Sequence, residues 1–125
     1  MKNAINTVAQ IIAKTILSPL VYMVEHDGRI DFVYITNEPI GEDALYDVQS
    51  SAESLLKCDV DIIDIRYFSE FDKINLLQQS KIVYCENPML PKMIEVKALE
   101  SLKTMLQEKN NLISRIEEIG CYYLQ

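Results

Sequence analysis

Asp27-Gly28 narrows what this chain can fold into more than any other pair of residues in it. The pair lies between two short runs rich in β-forming residues, Leu20 to Val24 and Ile30 to Ile35. Glycine accepts the positive φ that a tight turn demands, so an Asp-Gly step between such runs predicts a β-hairpin. The flanking segments are then read around that hairpin. Ile5, Val8, Ile12 and Ile16 recur at steps of three and four from Asn3 to Ile16, which predicts an amphipathic helix. Ser18-Pro19 ends it, because a residue before proline avoids helical dihedrals.

Asn37-Glu38-Pro39 breaks the chain after the hairpin, and a helix is predicted from Glu42 to Lys57 with Leu45, Val48, Ala52 and Leu55 on one face. Val60 to Ile65 is apolar everywhere except Asp61 and Asp64, the pattern of a strand buried on both faces. Short strands separated by helices imply parallel neighbours. Ser69, with Asp72 three residues on, reads as the cap of a short helix through Phe71, Ile74 and Leu77. A last strand is predicted from Ile82 to Cys85, then a long helix from Lys92 to Ile119 with Gly120 as its stop. Leu99, Leu102, Leu106, Ile113 and Ile116 form that helix's stripe. The expected fold is α/β (α+β): one domain over residues 1–125, a mixed sheet of about four strands with helices packed on it, and a long C-terminal helix.

A net charge of −7 and a pI near 4.6 argue against non-specific nucleic-acid binding, which needs a basic face to displace counterions. The three cysteines, Cys58, Cys85 and Cys121, form no CxxC pair, so neither a disulfide framework nor a zinc site is expected. Polar residues interrupt the first helix and break any signal-peptide core, and no apolar run is long enough to span a bilayer. A cytoplasmic protein with reduced thiols is the expectation.

Few residues offer chemistry. Only Gly28, Gly41 and Gly120 are glycine, so no phosphate-cradling loop is present. His26 reads as a surface histidine beside the turn. Asp31, near the start of the second strand, and Asp61 and Asp64, inside an apolar one, are more informative. Carboxylates in a buried strand cost desolvation energy unless they are paired, hydrogen-bonded or metal-bound. Two acids on neighbouring strands suit Mg²⁺; equally, acids at strand ends meet solvent or cap a backbone amide. The last helix also has two readings. Its stripe packs on its own sheet, or the helix, about 40 Å long at 1.5 Å per residue, outruns the sheet. In that case Leu112, Ile113, Ile116, Ile119, Tyr122 and Tyr123 face a partner.

The segment Val60-Asp61-Ile62-Ile63-Asp64-Ile65-Arg66, a short helix and then Ser80-Lys81-Ile82-Val83-Tyr84 resembles the second half of the minimal nucleotidyltransferase family. Gly28-Arg29-Ile30-Asp31-Phe32-Val33-Tyr34-Ile35 resembles a worn form of the family's Asp-x-Asp strand. The likeness runs from Leu20 to Glu86, with a long helix after it as in the family. Active members carry a Gly-Ser pair that holds a nucleoside triphosphate, an Asp-x-Asp pair and a third carboxylate that hold magnesium. Here no Gly-Ser follows the first strand, and Arg29 stands where the first aspartate belongs. Asp31 matches the second, and Asp61, or less well Asp64, the third. The resemblance thus implies a vestigial site at Asp31 and Asp61, with Arg29 available to pair with Asp31.

Members of the family often serve as antitoxins to a helical HEPN-domain toxin that cleaves RNA. The resemblance therefore implies a non-catalytic binding protein with a HEPN-type partner and no cofactor. The alternatives are an active transferase using Mg²⁺ and ATP to modify its partner through Asp31, Asp61 and a further acid such as Asp27, and a homodimeric regulatory module joined by its last helix.

Overall fold

The structure is a computed structural model that describes residues 2–38 and 40–124, and the side chains of residues 3–38, 40–112 and 115. Its elements, in chain order, are α1 (Lys2–Ile16), β1 (Leu20–His26), β2 (Arg29–Tyr34), α2 (Glu42–Leu56), β3 (Asp59–Asp64), a 3₁₀ turn (Ile65–Tyr67), α3 (Glu70–Gln79), β4 (Lys81–Cys85) and α4 (Met89–Leu124). The strands form one sheet in the order β3-β2-β1-β4. The Asp27-Gly28 turn closes the antiparallel β1–β2 hairpin, with Gly28 at φ +73° as a tight turn of this kind requires. β2 and β3 pair in parallel across the α2 crossover, and β4 pairs antiparallel with the outer side of β1. The sheet is therefore mixed, as the sequence predicts.

Strand alternation sends consecutive side chains to opposite faces. One face carries Val21, Met23, Ile30, Phe32, Tyr34 and Val60 against α1 and α2, where Val8, Ile12, Ile16, Val48, Ala52 and Leu56 complete the main core. The other carries Leu20, Tyr22 and Val33 against α3 and the start of α4, closed by Leu76, Leu77, Leu90 and Ile94. The buried Ser18 hydroxyl ties the entry of β1 to the exit of β2, donating to the Leu20 carbonyl at 2.8 Å and accepting from the Ile35 amide at 3.1 Å.

In several places the structure departs from these expectations. In α2 the buried stripe is Val48, Ala52 and Leu56, whereas Leu55 is exposed; the four-residue step keeps one face toward the sheet and Leu55 lies off it. β3 is an edge strand with Ile62 and Ile63 half-buried, because it has a neighbour on one side only. In α3 the buried residue is Leu76, and Phe71 is exposed. The long helix begins at Met89 and continues past Gly120 to Leu124. Its start is capped by the Asn87 side chain, which accepts from the Met89 amide at 3.0 Å. Pro91 is tolerated in the first turn, where amide groups lack intrahelical partners in any case.

α4 spans 36 residues, about 54 Å, far more than strands of five to seven residues can cover. Leu90, Ile94, Ala98 and Leu102 are at least half-buried, and every described side chain from Lys103 onward is exposed. Leu106, predicted to pack on the sheet, is consequently exposed, as is Leu112, and Leu99 is exposed because it lies off the line of Leu90, Ile94, Ala98 and Leu102. The side chains of Ile113, Ile116, Ile119, Tyr122 and Tyr123 lie outside the described residues, as does that of Cys121. Among the described residues no helix is long and apolar enough to cross a membrane.

Candidate functional site

Antiparallel register places Val24 opposite Asp31 and His26 opposite Arg29, and parallel register places Asp31 beside Asp61. Side chains in register on neighbouring strands share a face. His26, Arg29, Asp31 and Asp61 therefore converge at one end of the α3/α4 face, just beyond the apolar floor of Val24, Val33 and Ile63. The sequence-derived pair Asp31 and Asp61 is thereby brought together. Asp64, three residues on and so of opposite parity, points to the α1/α2 side with Tyr34.

Asp31 is the centre of the cluster, with its side chain 12% exposed. His26 Nε2 lies 2.9 Å from Asp31 Oδ2. Arg29 Nε lies 3.2 Å from Asp31 Oδ1 and 3.9 Å from Asp61 Oδ2, so one guanidinium bridges the two carboxylates. The approach to Oδ1 is a charge contact rather than an aligned hydrogen bond, which leaves that buried oxygen without a hydrogen-bond partner. Arg29 thus pairs with Asp31, as its position in the sequence suggests.

Asp64 has a structural part. Its side chain accepts from the Arg66 backbone amide at 2.9 Å, capping the 3₁₀ turn, and from the Arg66 guanidinium at 2.6 and 2.9 Å. The hydrogen bond to Asp64 raises the affinity of Arg66 for its proton. Burial, followed by the charge of Asp64, raises that of the Tyr34 phenol. Asp64 is therefore the strand-end acid that caps an amide, and Asp61 the one that faces the cluster.

Beside the cluster is a cleft of about 250 Å³ lined by Val24, His26, Asp31, Val33, Ile63 and Phe68, and by Asp72, Asn75, Leu76 and Gln79 of α3. Reading His26 as a plain surface histidine missed its contact with Asp31. The signal was present: a two-residue Asp-Gly turn fixes His26 opposite Arg29, which makes His26 and Asp31 diagonal neighbours on one face. Asp72, Asn75 and Gln79, at steps of three and four, were likewise detectable as one helix face.

A comparison of the sequence with known families and with characterised proteins gives no match. Solved structures do match. A Shewanella oneidensis complex, a tri-AMPylated HEPN toxin with its MNT antitoxin, gives a TM-score of 0.73 at 19% identity, covering 93% of this chain and 98% of that one. The toxin–antitoxin MntA-HepT gives 0.73 at 18% identity, with the same shares of the two chains. A toxin–antitoxin structure with AMP-PNP gives 0.71 at 17%, covering 90% of this chain and 97% of that one. The chain therefore has the nucleotidyltransferase-like fold of the MNT antitoxins, with a mixed four-stranded sheet and a long C-terminal helix.

Proposed function

We propose that this chain is an antitoxin-like binding protein, a nucleotidyltransferase fold that holds a HEPN-type helical toxin in check by contact and no longer transfers nucleotide. The observation that carries the second half is the place of Arg29. A divalent ion shared by Asp31 and Asp61 would sit where the guanidinium sits, 3.2 Å from one carboxylate and 3.9 Å from the other. His26 engages the remaining oxygen of Asp31. Among the described residues no group of three or more His, Cys, Asp or Glu side chains is arranged to hold a metal. The residues present therefore do not fit Mg²⁺. Phosphoryl transfer depends on positioned cations and phosphate-holding groups, and both are lost here together with the Gly-Ser pair.

The antitoxin half is supported by the fold shared with MNT antitoxins from toxin complexes. It is also supported by the exposed apolar residues Met93, Val96, Leu99, Leu106 and Leu112 along α4, which exceed what a helix serving only its own sheet needs. Aliphatic and methionine side chains on one long helix suit a helical partner.

The toxin described as tri-AMPylated favours a second reading, in which this chain also transfers nucleotide to its partner. One experiment separates the readings. A tagged chain is purified from its native cells with its partner, and the complex is incubated with ATP and Mg²⁺ before intact-mass measurement. A stoichiometric HEPN-type protein of unchanged mass is the expected result. Adenylyl increments that disappear in Asp31→Ala would establish the transferase. Recovery of the bait alone would overturn the antitoxin half and favour self-association through α4.

A further inference from the structure

α4 leaves the body of the domain after Leu102, and every described side chain from Lys103 onward is exposed. A helix in water owes most of its stability to packing on an apolar face, so a solitary overhang of this length is marginal. Its sequence is not that of a solvated helix. Ala98, Leu102, Met105, Lys109 and Leu112 follow one another at alternating steps of four and three, and Ile116 and Ile119 continue the steps in the sequence. These are the a and d positions of a heptad, broken only by Lys109. Leu99, Leu106 and Ile113, at position e, widen the stripe on one flank. Every b, c and f position from Lys103 to Glu118 is polar, so the overhang has one dry side and one wet side.

The opposite flank, position g, carries the charges that choose a partner and its direction. Glu108 and Arg115 occupy it one heptad apart, and both are exposed. An antiparallel copy of the same helix sets g against g and e against e. With Lys109 level with the second copy's Leu112, Glu108 faces the second copy's Arg115, and two-fold symmetry repeats the pair. In the same register Leu102 meets the second copy's Ile119, Met105 meets its Ile116, and Leu106 meets its Ile113. A parallel copy offers none of this. It stacks Lys109 on Lys109 in the seam and leaves Glu108 opposite Ile113 and Arg115 opposite Gly120. Against Leu112 the Lys109 stem packs while its ammonium reaches water.

We propose that the free chain pairs with a second copy of itself through an antiparallel coil of the α4 overhang, and that this pairing covers the stripe a toxin takes. Leu106 and Leu112 then serve both occupants, so a copy and a toxin exclude each other. The free protein keeps its docking face dry until a toxin displaces the second copy. The competition rests on the toxin reading; the pairing itself does not, since it follows from the heptad and from the Glu108 and Arg115 flank.

Sedimentation equilibrium of the full chain at about 100 μM is expected to give a dimer, with a dissociation constant on the order of 10 μM. Glu108→Arg sets arginine against Arg115, and Arg115→Glu sets glutamate against Glu108. Each variant alone should therefore pair at least about tenfold more weakly. An equimolar mixture of the two restores both ion pairs and should recover the parent affinity within about threefold. That recovery also shows that both variants are folded. A parent chain that is monomeric at this concentration would overturn the pairing. So would single variants that pair as well as the parent, or a mixture that stays monomeric. The helical protein recovered with the tagged chain from native cells is then added to the parent dimer. It should dissolve the homodimer, and a complex in which the two copies remain paired through α4 would overturn the competition. If no such protein is recovered, the toxin reading fails and the competition with it, while the pairing is decided on the chain alone.

Discussion

On the α1/α2 side of the sheet, Val8, Ile12, Phe32 and Val60 are each at most 1% exposed, and the one carboxylate buried there among the described residues, Asp64, is fully paired with Arg66. On the α3/α4 side the same strands present Tyr22 with an unpartnered hydroxyl, Asp31 with an unpartnered oxygen, and a floor that ends in four polar residues. Buried apolar area stabilises at roughly 25 cal/mol per Å², whereas an unpaired buried polar group costs about 1–3 kcal/mol. The first face thus holds the fold together, and the second gives up some stability to keep polar groups in place. Departures from a consistently packed core are expected where a protein does its work.

The contrast is easiest to break by truncation. Phe32→Ala should lose about 3–5 kcal/mol in chemical denaturation. Ile63→Ala, on the other face and half-buried, should lose only about 1–2 kcal/mol, because less of the side chain leaves water on folding. Equal losses would mean that the two faces share the burden and that the second is not specialised.

The polar end of that second face supplies the next test. If Arg29 holds the place of a cation between Asp31 and Asp61, Arg29→Asp removes it and restores an Asp-x-Asp pair beside Asp61. Mn²⁺ affinity, read by calorimetry, should then rise at least about tenfold over the parent chain, in keeping with the gain of an oxygen ligand and the loss of a like charge. No gain would show that something other than Arg29 keeps the metal out.

Tyr22 gives a pH test of the same face. Its folded-state ionisation near 12 lies above the ordinary phenol value of 10. The neutral form is therefore favoured by the fold, so the stability it brings is fully present below pH 10. As the pH rises from 10 toward 12 the unfolded chain ionises first and stability falls, on the order of 1–2 kcal/mol after allowance for screening. Tyr22→Phe should remove the part of that fall due to Tyr22, leaving the smaller part due to Tyr34, whose phenol is also raised by burial and by Asp64. If the mutant loses as much stability over the same window as the parent chain, Tyr22 is not the group responsible.

How much of this was legible in the sequence differs between the two faces in the same way. The α1/α2 core follows from local pattern: the steps of Ile5, Val8, Ile12 and Ile16, the Asp-Gly turn, and the parity of Phe32 and Val60 all point inward without ambiguity. The order of elements sufficed for the fold, since a hairpin followed by a helix and a strand leaves few mixed sheets to choose from. Leu55, the sides of β3 and the end of α4 were misread because the width of the sheet, which decides what a helix can cover, is not a local property. In the site, Asp31 and Asp61 stood out as acids in apolar strands. The His26 contact needed the hairpin register, and the bridge from Arg29 to Asp61 needed the parallel register of β3, which no short motif encodes. Tyr22 falls inside the β-forming run Leu20 to Val24, and only the three-dimensional packing leaves its hydroxyl without a partner.

The smallest effect concerns the end of α1, at the border of the well-packed face. Leu17 has φ 58° and is 81% exposed. The Ser18 amide bonds back to the Ala13 carbonyl at 3.0 Å, the six-to-one bond of a Schellman ending in which Leu17 holds the left-handed position. A side chain there costs roughly 1–2 kcal/mol in backbone strain, and so exposed a leucine recovers little of it by packing. Glycine relieves the strain but loses more entropy on folding, roughly 0.5–1 kcal/mol. Leu17→Gly should therefore stabilise the chain by about 0.5 kcal/mol, visible as a small rise in melting temperature. A fall instead would mean that Leu17 packs on α1 despite its exposure, carrying the apolar face past the helix end and sharpening its contrast with the polar side of the sheet.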